Sequence, residues 1–105
     1  MVRTIPNLGD FNKLLDDSAD KLVVVALTAT WCGPCQRIAP LFQQLADENQ
    51  NVVFVKVDVD ENEETAAAYG ISAMPTFIFI KNKQKLETMQ GANVDMLKSL
   101  VQKYA

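Results

Sequence analysis

Leu22-Val23-Val24-Val25-Ala26-Leu27-Thr28-Ala29-Thr30-Trp31-Cys32-Gly33-Pro34-Cys35 sets an apolar, β-branched run directly against a C-x-x-C pair. Leu22 to Ala29 reads as a central strand buried on both faces. From Cys32 to about Asn49 the apolar period becomes helical, because Ile38, Leu41, Phe42 and Leu45 fall at i, i+3, i+4 and i+7. Pro34 sits in the first turn, where a missing N–H costs nothing. Pro40 lies inside the helix and is expected to kink it. The cysteine pair therefore stands where a buried strand turns into a helix.

Outward from this junction, strand and helix patterns keep alternating. Val2 to Ile5 is a short strand. Leu8 to Asp17 is a helix capped by Asn7, with Phe11, Leu14 and Leu15 on one side. Val52 to Val57 is another buried strand. Asp60 begins an acid-rich helix that runs to Tyr69 and stops at Gly70. Thr76 to Ile80 and Leu86 to Met89 are strands separated by a polar turn around Asn82. Asn93 caps a last helix, with Val94, Leu97, Val101 and Tyr104 expected to face inward. The order β-α-β-α-β-α-β-β-α contains three βαβ passages, which call for parallel pairs with right-handed crossovers, and ends in a hairpin and a helix. An α/β fold follows, with a five-stranded mixed sheet and helices on both faces. The 105 residues suit a single domain spanning 1–105.

Composition excludes several function classes. Apolar residues make up 49% and charged residues 22%, a globular balance that is neither disordered nor membrane-like. The net charge is -3 and no Lys/Arg block occurs, so nucleic acid is not an expected partner. The longest apolar run falls far short of the ~20 residues a bilayer span needs, so no membrane association is expected. Met1-Val2-Arg3-Thr4-Ile5-Pro6 lacks a signal peptide's apolar stretch, which points to the cytoplasm. There, thiols are kept reduced, and a C-x-x-C is catalytic or metal-binding rather than structural. The chain has no histidine, which removes the commonest zinc ligand and the usual general base. Two cysteines alone cannot close a tetrahedral zinc site; four shared by two chains could. Asp58-Val59-Asp60-Glu61-Asn62 imitates the start of a calcium loop. It fails at the sixth position, where Glu63 replaces glycine, and at the twelfth, where Tyr69 replaces glutamate. No metal and no bound cofactor are expected.

Cys32 and Cys35 are the only cysteines, so neither has a structural partner elsewhere. Disulfide exchange needs a thiolate that attacks and a second thiol that resolves the mixed disulfide. Cys32 opens the helix, so its sulfur lies near unpaired N–H groups and the positive dipole end, which favour the thiolate. Cys35 lies one turn further in and should be more buried. Cys32 is thus the candidate nucleophile and Cys35 the resolving thiol, with Trp31, Gly33 and Pro34 completing the active-site loop. Pro34 stiffens that loop. Trp31, beside an exposed nucleophile, would form one wall of a substrate groove.

Trp31-Cys32-Gly33-Pro34-Cys35 after a Val-rich strand resembles the thioredoxins, and the resemblance runs the length of the chain. It includes Ala29-Thr30, Ala39-Pro40, Val57-Asp58-Val59-Asp60, Met74-Pro75-Thr76-Phe77 and Gly91-Ala92-Asn93, in the manner of the eukaryotic cytosolic type. It implies the thioredoxin fold, with four helices flanking the sheet, and a general protein-disulfide reductase. A thioredoxin reductase using NADPH would regenerate it, and peroxiredoxins and methionine sulfoxide reductases would be among its clients. It also implies a cis proline at Pro75 facing the disulfide. The Met74 backbone would pair with an extended substrate, and Gly91 and Ala92 would complete the groove. Thioredoxins typically carry a buried Asp where this chain has Ala26, paired across strands with a lysine that is present here as Lys56. That acid serves proton transfer at the resolving thiol, so its absence predicts an active but slower reductant. Ala73 stands where animal relatives often have an extra cysteine, so disulfide-linked dimers are not expected and the chain should act as a monomer. A binding module with idle thiols is the alternative function. An oxidase or isomerase role fits less well, because oxidising relatives usually carry other residues between the cysteines and are exported.

Overall fold

The central strand is β2, Val23–Thr28, and its alternation builds the two halves of the core. Val24 and Ala26 point to a cluster with Ile38, Phe42, Phe77 and Leu97. Val23, Val25 and Leu27 point to the other face, against Ile5, Phe11, Leu14 and Ile78. A strand with apolar side chains on both faces can be satisfied only by layers on both sides. The computed structural model describes residues 2–105; Met1, the first residue of the N-terminal stretch read above, lies outside them. Around β2 stand β1 (Arg3–Thr4), β3 (Val53–Asp58), β4 (Thr76–Lys81) and β5 (Gln84–Gln90), in the sheet order β1-β3-β2-β4-β5. Helices α1 (Leu8–Asp17) and α3 (Glu63–Ala68) supply one face of the core, and α2 (Gly33–Glu48) and α4 (Val94–Tyr104) the other.

One of the three expected parallel passages is not parallel. β3 runs parallel to both β1 and β2, but β4 pairs antiparallel with β2. Length is the reason. The six residues of α3 rise about 9 Å, whereas a six-residue strand extends about 20 Å, so α3 cannot carry the chain back along the sheet. It crosses one end instead. β3 finishes with Asp58 opposite Thr28, and β4 starts with Thr76 opposite Leu27. The segment before β4 therefore arrives at the end of β2 from which the C-x-x-C emerges.

Helix starts follow the expected chemistry with one correction. The Asn7 side chain accepts from the Asp10 N–H at 2.7 Å, and Asn93 from that of Met96 at 3.0 Å. The third helix is not begun by Asp60. Asn62 caps it, accepting from the Thr65 N–H at 3.2 Å, because the Asp58 carboxylate first holds a turn through the N–H groups of Asp60 and Glu61. Buried Asn62 also donates to the Ile5 carbonyl at 3.1 Å, tying α3 to the chain beyond β1. α2 continues through Pro40 to Glu48.

Val94, expected to face inward, is 40% exposed: it is the first residue of α4, before the helix turns its apolar stripe to the sheet. Leu97, Leu100 and Val101 fill that role, with Tyr104 half-buried against them. β5 begins at Gln84, earlier than its apolar residues suggest. Asn82 and Lys83 both have positive φ, the geometry of a two-residue hairpin loop, which pairs Lys81 with Gln84. No helix among the described residues is long and apolar enough to cross a membrane.

Candidate active site

Cys32 is the N-cap of α2. Its extended backbone (φ -89°, ψ 111°) ends the link from β2, and its sulfur accepts the Cys35 N–H at 3.3 Å. A sulfur in this position faces the unpaired donors of a sixteen-residue helix, which stabilise negative charge on it. Gly33 and Pro34 form the first turn. Cys32 and Cys35 are joined as a disulfide with a Cα–Cα distance of 5.3 Å. The two cysteines are less open than a freely exposed nucleophile would be: Cys32 is 6% exposed and Cys35 2%. Ala29 packs with them, and the partly buried Val59 and Met74 pack against the group.

Three stretches of chain complete the surroundings of the pair. Trp31, 68% exposed, donates its indole N–H to Asp60 at 2.8 Å; Asp60 does not cap α3 but stands beside the tryptophan, the place that the thioredoxin resemblance suggests for it. The Met74–Pro75 bond is cis, and Met74 packs on the cysteine pair. The Met74 N–H and C=O make no backbone hydrogen bond among the described residues. Gly91 donates its N–H to the Pro75 carbonyl at 2.8 Å, bringing the Gly91-Ala92 turn beside the cis-proline loop. Its φ of +92° is why a glycine stands there.

Beneath the dithiol lies a cleft of about 570 Å³ whose walls include Ala26, Cys35, Lys56, Asp58, Glu61 and Pro75. Ala26 is directly in register with Lys56 on β3 and Phe77 on β4. The Lys56 side chain is exposed and makes no ion pair among the described residues. Position 26 offers the cleft only a methyl group.

The thioredoxin family model matches residues 4–103. A thioredoxin from Geodia cydonium is 51% identical over 104 residues, covering 98% of each chain. The solved thioredoxin of Fasciola hepatica superposes with a TM-score of 0.97 at 43% identity, covering 98% of this chain and 99% of that one. That of Schistosoma mansoni, in its reduced form, gives 0.95 at 47%, covering 99% and 98%.

The chain belongs to the thioredoxin family. Thioredoxins are disulfide oxidoreductases, and the bonded Cys32–Cys35 pair equips this one for dithiol–disulfide exchange. The thioredoxin fold brings together residues far apart in sequence: Met74 meets the dithiol, Gly91 meets Pro75, and Ala26 and Lys56 share the cleft beneath. Asp58 and Glu61, which line the same cleft, were missed in the sequence reading. Alternation along β3 puts Asp58 on the face of Lys56, a signal present in the sequence.

Proposed function

We propose that this chain, as one thioredoxin domain spanning 1–105, is a general protein-disulfide reductase in which Cys32 attacks and Cys35 resolves. The observation that carries the assignment is the Cys32 sulfur at the N-cap of α2, accepting the Cys35 N–H. In the reduced protein that setting favours the Cys32 thiolate. The thiolate attacks one sulfur of a client disulfide, and the other client sulfur leaves with the electron pair. Cys35 then loses its proton and attacks the Cys32 sulfur. The mixed disulfide breaks, the client departs as a dithiol, and the Cys32–Cys35 disulfide remains.

An extended client segment pairs with the free Met74 N–H and C=O in a form of strand addition, with Pro75, Gly91 and Ala92 along its path and Trp31 at the rim. Backbone pairing reads little sequence, which suits broad specificity. A thioredoxin reductase drawing on NADPH returns the pair to the dithiol; peroxiredoxins and methionine sulfoxide reductases are the proposed clients. The proposed setting is the cytosol, since a dithiol that works as a reductant needs a reducing pool. Ala26 slows the resolving step, because no carboxylate at that position helps Cys35 lose its proton.

Cys35→Ser tests the assignment. Incubated with cell extract, it should accumulate protein adducts that dithiothreitol releases and that vanish when Cys32 is also changed to Ser. Adducts that persist without Cys32, or a Cys35→Ser protein that still turns over insulin catalytically, would overturn it.

A further inference from the structure

We propose that Asp58 accepts, through water in the cleft, the proton that Cys35 must lose, and so takes over the task for which position 26 has no carboxylate. The proposal rests on the reading of Cys35 as the resolving thiol.

The cleft holds few candidates. The chain has no histidine. Besides Cys35, the ionisable side chains lining the cleft are Lys56, Asp58 and Glu61. An ammonium cannot accept a proton. Glu61 is exposed, lies in the turn beyond β3, and has no hydrogen bond among the described residues that fixes its carboxylate. Asp60 is committed to the Trp31 indole and does not line the cleft.

Asp58 differs in placement and in order. It follows Lys56 by two residues on β3 and stands opposite Thr28, itself two residues beyond Ala26. By alternation, Asp58 therefore lies on the sheet face that α2 covers and that Cys35 approaches, one strand over from Ala26 and nearer the dithiol end. It is half-buried. Its Oδ1 accepts the Asp60 N–H at 2.9 Å and the Glu61 N–H at 3.3 Å, which fixes the carboxylate. Oδ2 has no partner among the described residues and remains available. The charged and titratable groups that share the cleft with it are Lys56 on its own strand, Glu61 in the turn and Cys35 on α2; the uncharged polar ones are Thr4, Thr28, Thr30, Gln36 and Gln43. The cleft's 570 Å³ is ample for bridging waters, each of which occupies about 30 Å³ in the liquid.

In the mixed disulfide, the Cys35 S–H gives its proton to a cleft water as that water gives one to Asp58 Oδ2. The Cys35 thiolate then attacks Cys32 Sγ, the bond from Cys32 to the client sulfur breaks, and the client sulfur leaves with the electron pair. It takes up the proton that Asp58 held. Two electrons pass from the dithiol to the client, and Asp58 is again a carboxylate.

Asp58→Asn isolates this role, because the amide oxygen still accepts the two N–H groups of the turn. Stopped-flow Trp31 fluorescence would follow reduced protein mixed with excess insulin, separating second-order attack from the first-order plateau of resolution. Asp58→Asn should lower the plateau about five- to tenfold near pH 7, less than the roughly 10²- to 10⁴-fold of a full general base because cleft water still takes the proton, and leave the attack rate within about twofold. The deficit should close at alkaline pH, where hydroxide takes the proton. Asp58→Glu should recover most of the rate, Glu61→Gln should hold the plateau, and in an Ala26→Asp background the Asp58→Asn deficit should shrink below about twofold. A plateau unchanged at every pH, a parallel fall of both phases, a loss caused by Glu61→Gln, or a deficit undiminished beside Asp at 26 would overturn the proposal. Failure of the underlying reading looks different: Cys35→Ser would keep its turnover.

Discussion

Ala26→Asp puts a carboxylate back into the cleft beneath Cys35, and its stability should depend on pH in a defined direction. Ala26 is 7% exposed in an apolar cluster, but the cleft beside it leaves room for the added atoms, so the cost is electrostatic rather than steric. Burial raises the folded pKa of such a carboxyl, by up to 3–5 units for a fully enclosed group. Cleft water and Lys56, directly opposite in register, should limit the rise to about two or three units, or roughly 3–4 kcal/mol at 1.36 kcal/mol per unit. A carboxyl with a raised folded pKa holds its proton more tightly when folded. The penalty is therefore absent below the unfolded value of about 4, grows as pH rises toward the folded value, and is constant above it. Far-UV circular dichroism during urea unfolding, at intervals from about pH 3 to 8, measures this directly. Ala26→Asp should match the parent near pH 3 and lose roughly 3–4 kcal/mol at pH 7, while its plateau rate of client reduction rises. Equal stability of the two proteins at every pH, or a penalty largest in acid, would refute the reasoning.

Two further substitutions probe the frame around the site. Asn62→Ala removes the α3 cap, worth about 1 kcal/mol, and strips the Ile5 carbonyl of its buried donor, worth roughly 1–3 more. Urea midpoints should report a combined loss of about 2–4 kcal/mol, and a loss below about 0.5 would show that water replaces both bonds. Burial pushes the Tyr69 hydroxyl up from its ordinary value of 10.0, so its contribution is fully present below that pH and is lost as pH rises beyond it. Tyr69→Phe keeps the edge-on ring contact with Phe11 and should flatten the alkaline limb of a stability–pH curve; superimposable curves would contradict this.

Much of the frame was legible because its signals are local. The apolar run of β2, the period of α2 and the caps at Asn7 and Asn93 each follow from side chains close along the chain to the residue in question. The reversed β4, the cap at Asn62 and the exposure of Val94 were not legible in this way. Each depends on where distant strand ends lie: α3 is too short to return along the sheet, Asp58 has already turned the chain, and α4 starts at the rim.

The sequence by itself determined the chemistry of this protein: a C-x-x-C pair at a strand-to-helix junction, with the first sulfur at a helix N-terminus. Those relations involve neighbours along the chain, which backbone geometry joins in any fold that keeps the junction. Only the tertiary structure decided what surrounds the pair. Met74 against the cysteine pair, Gly91 hydrogen-bonded to Pro75, and the Trp31 indole on Asp60 are contacts between separate segments, and Asp58 and Cys35 come from separate segments to line one cleft. They exist because an antiparallel β4 and a short α3 bring several loops to the same end of the sheet.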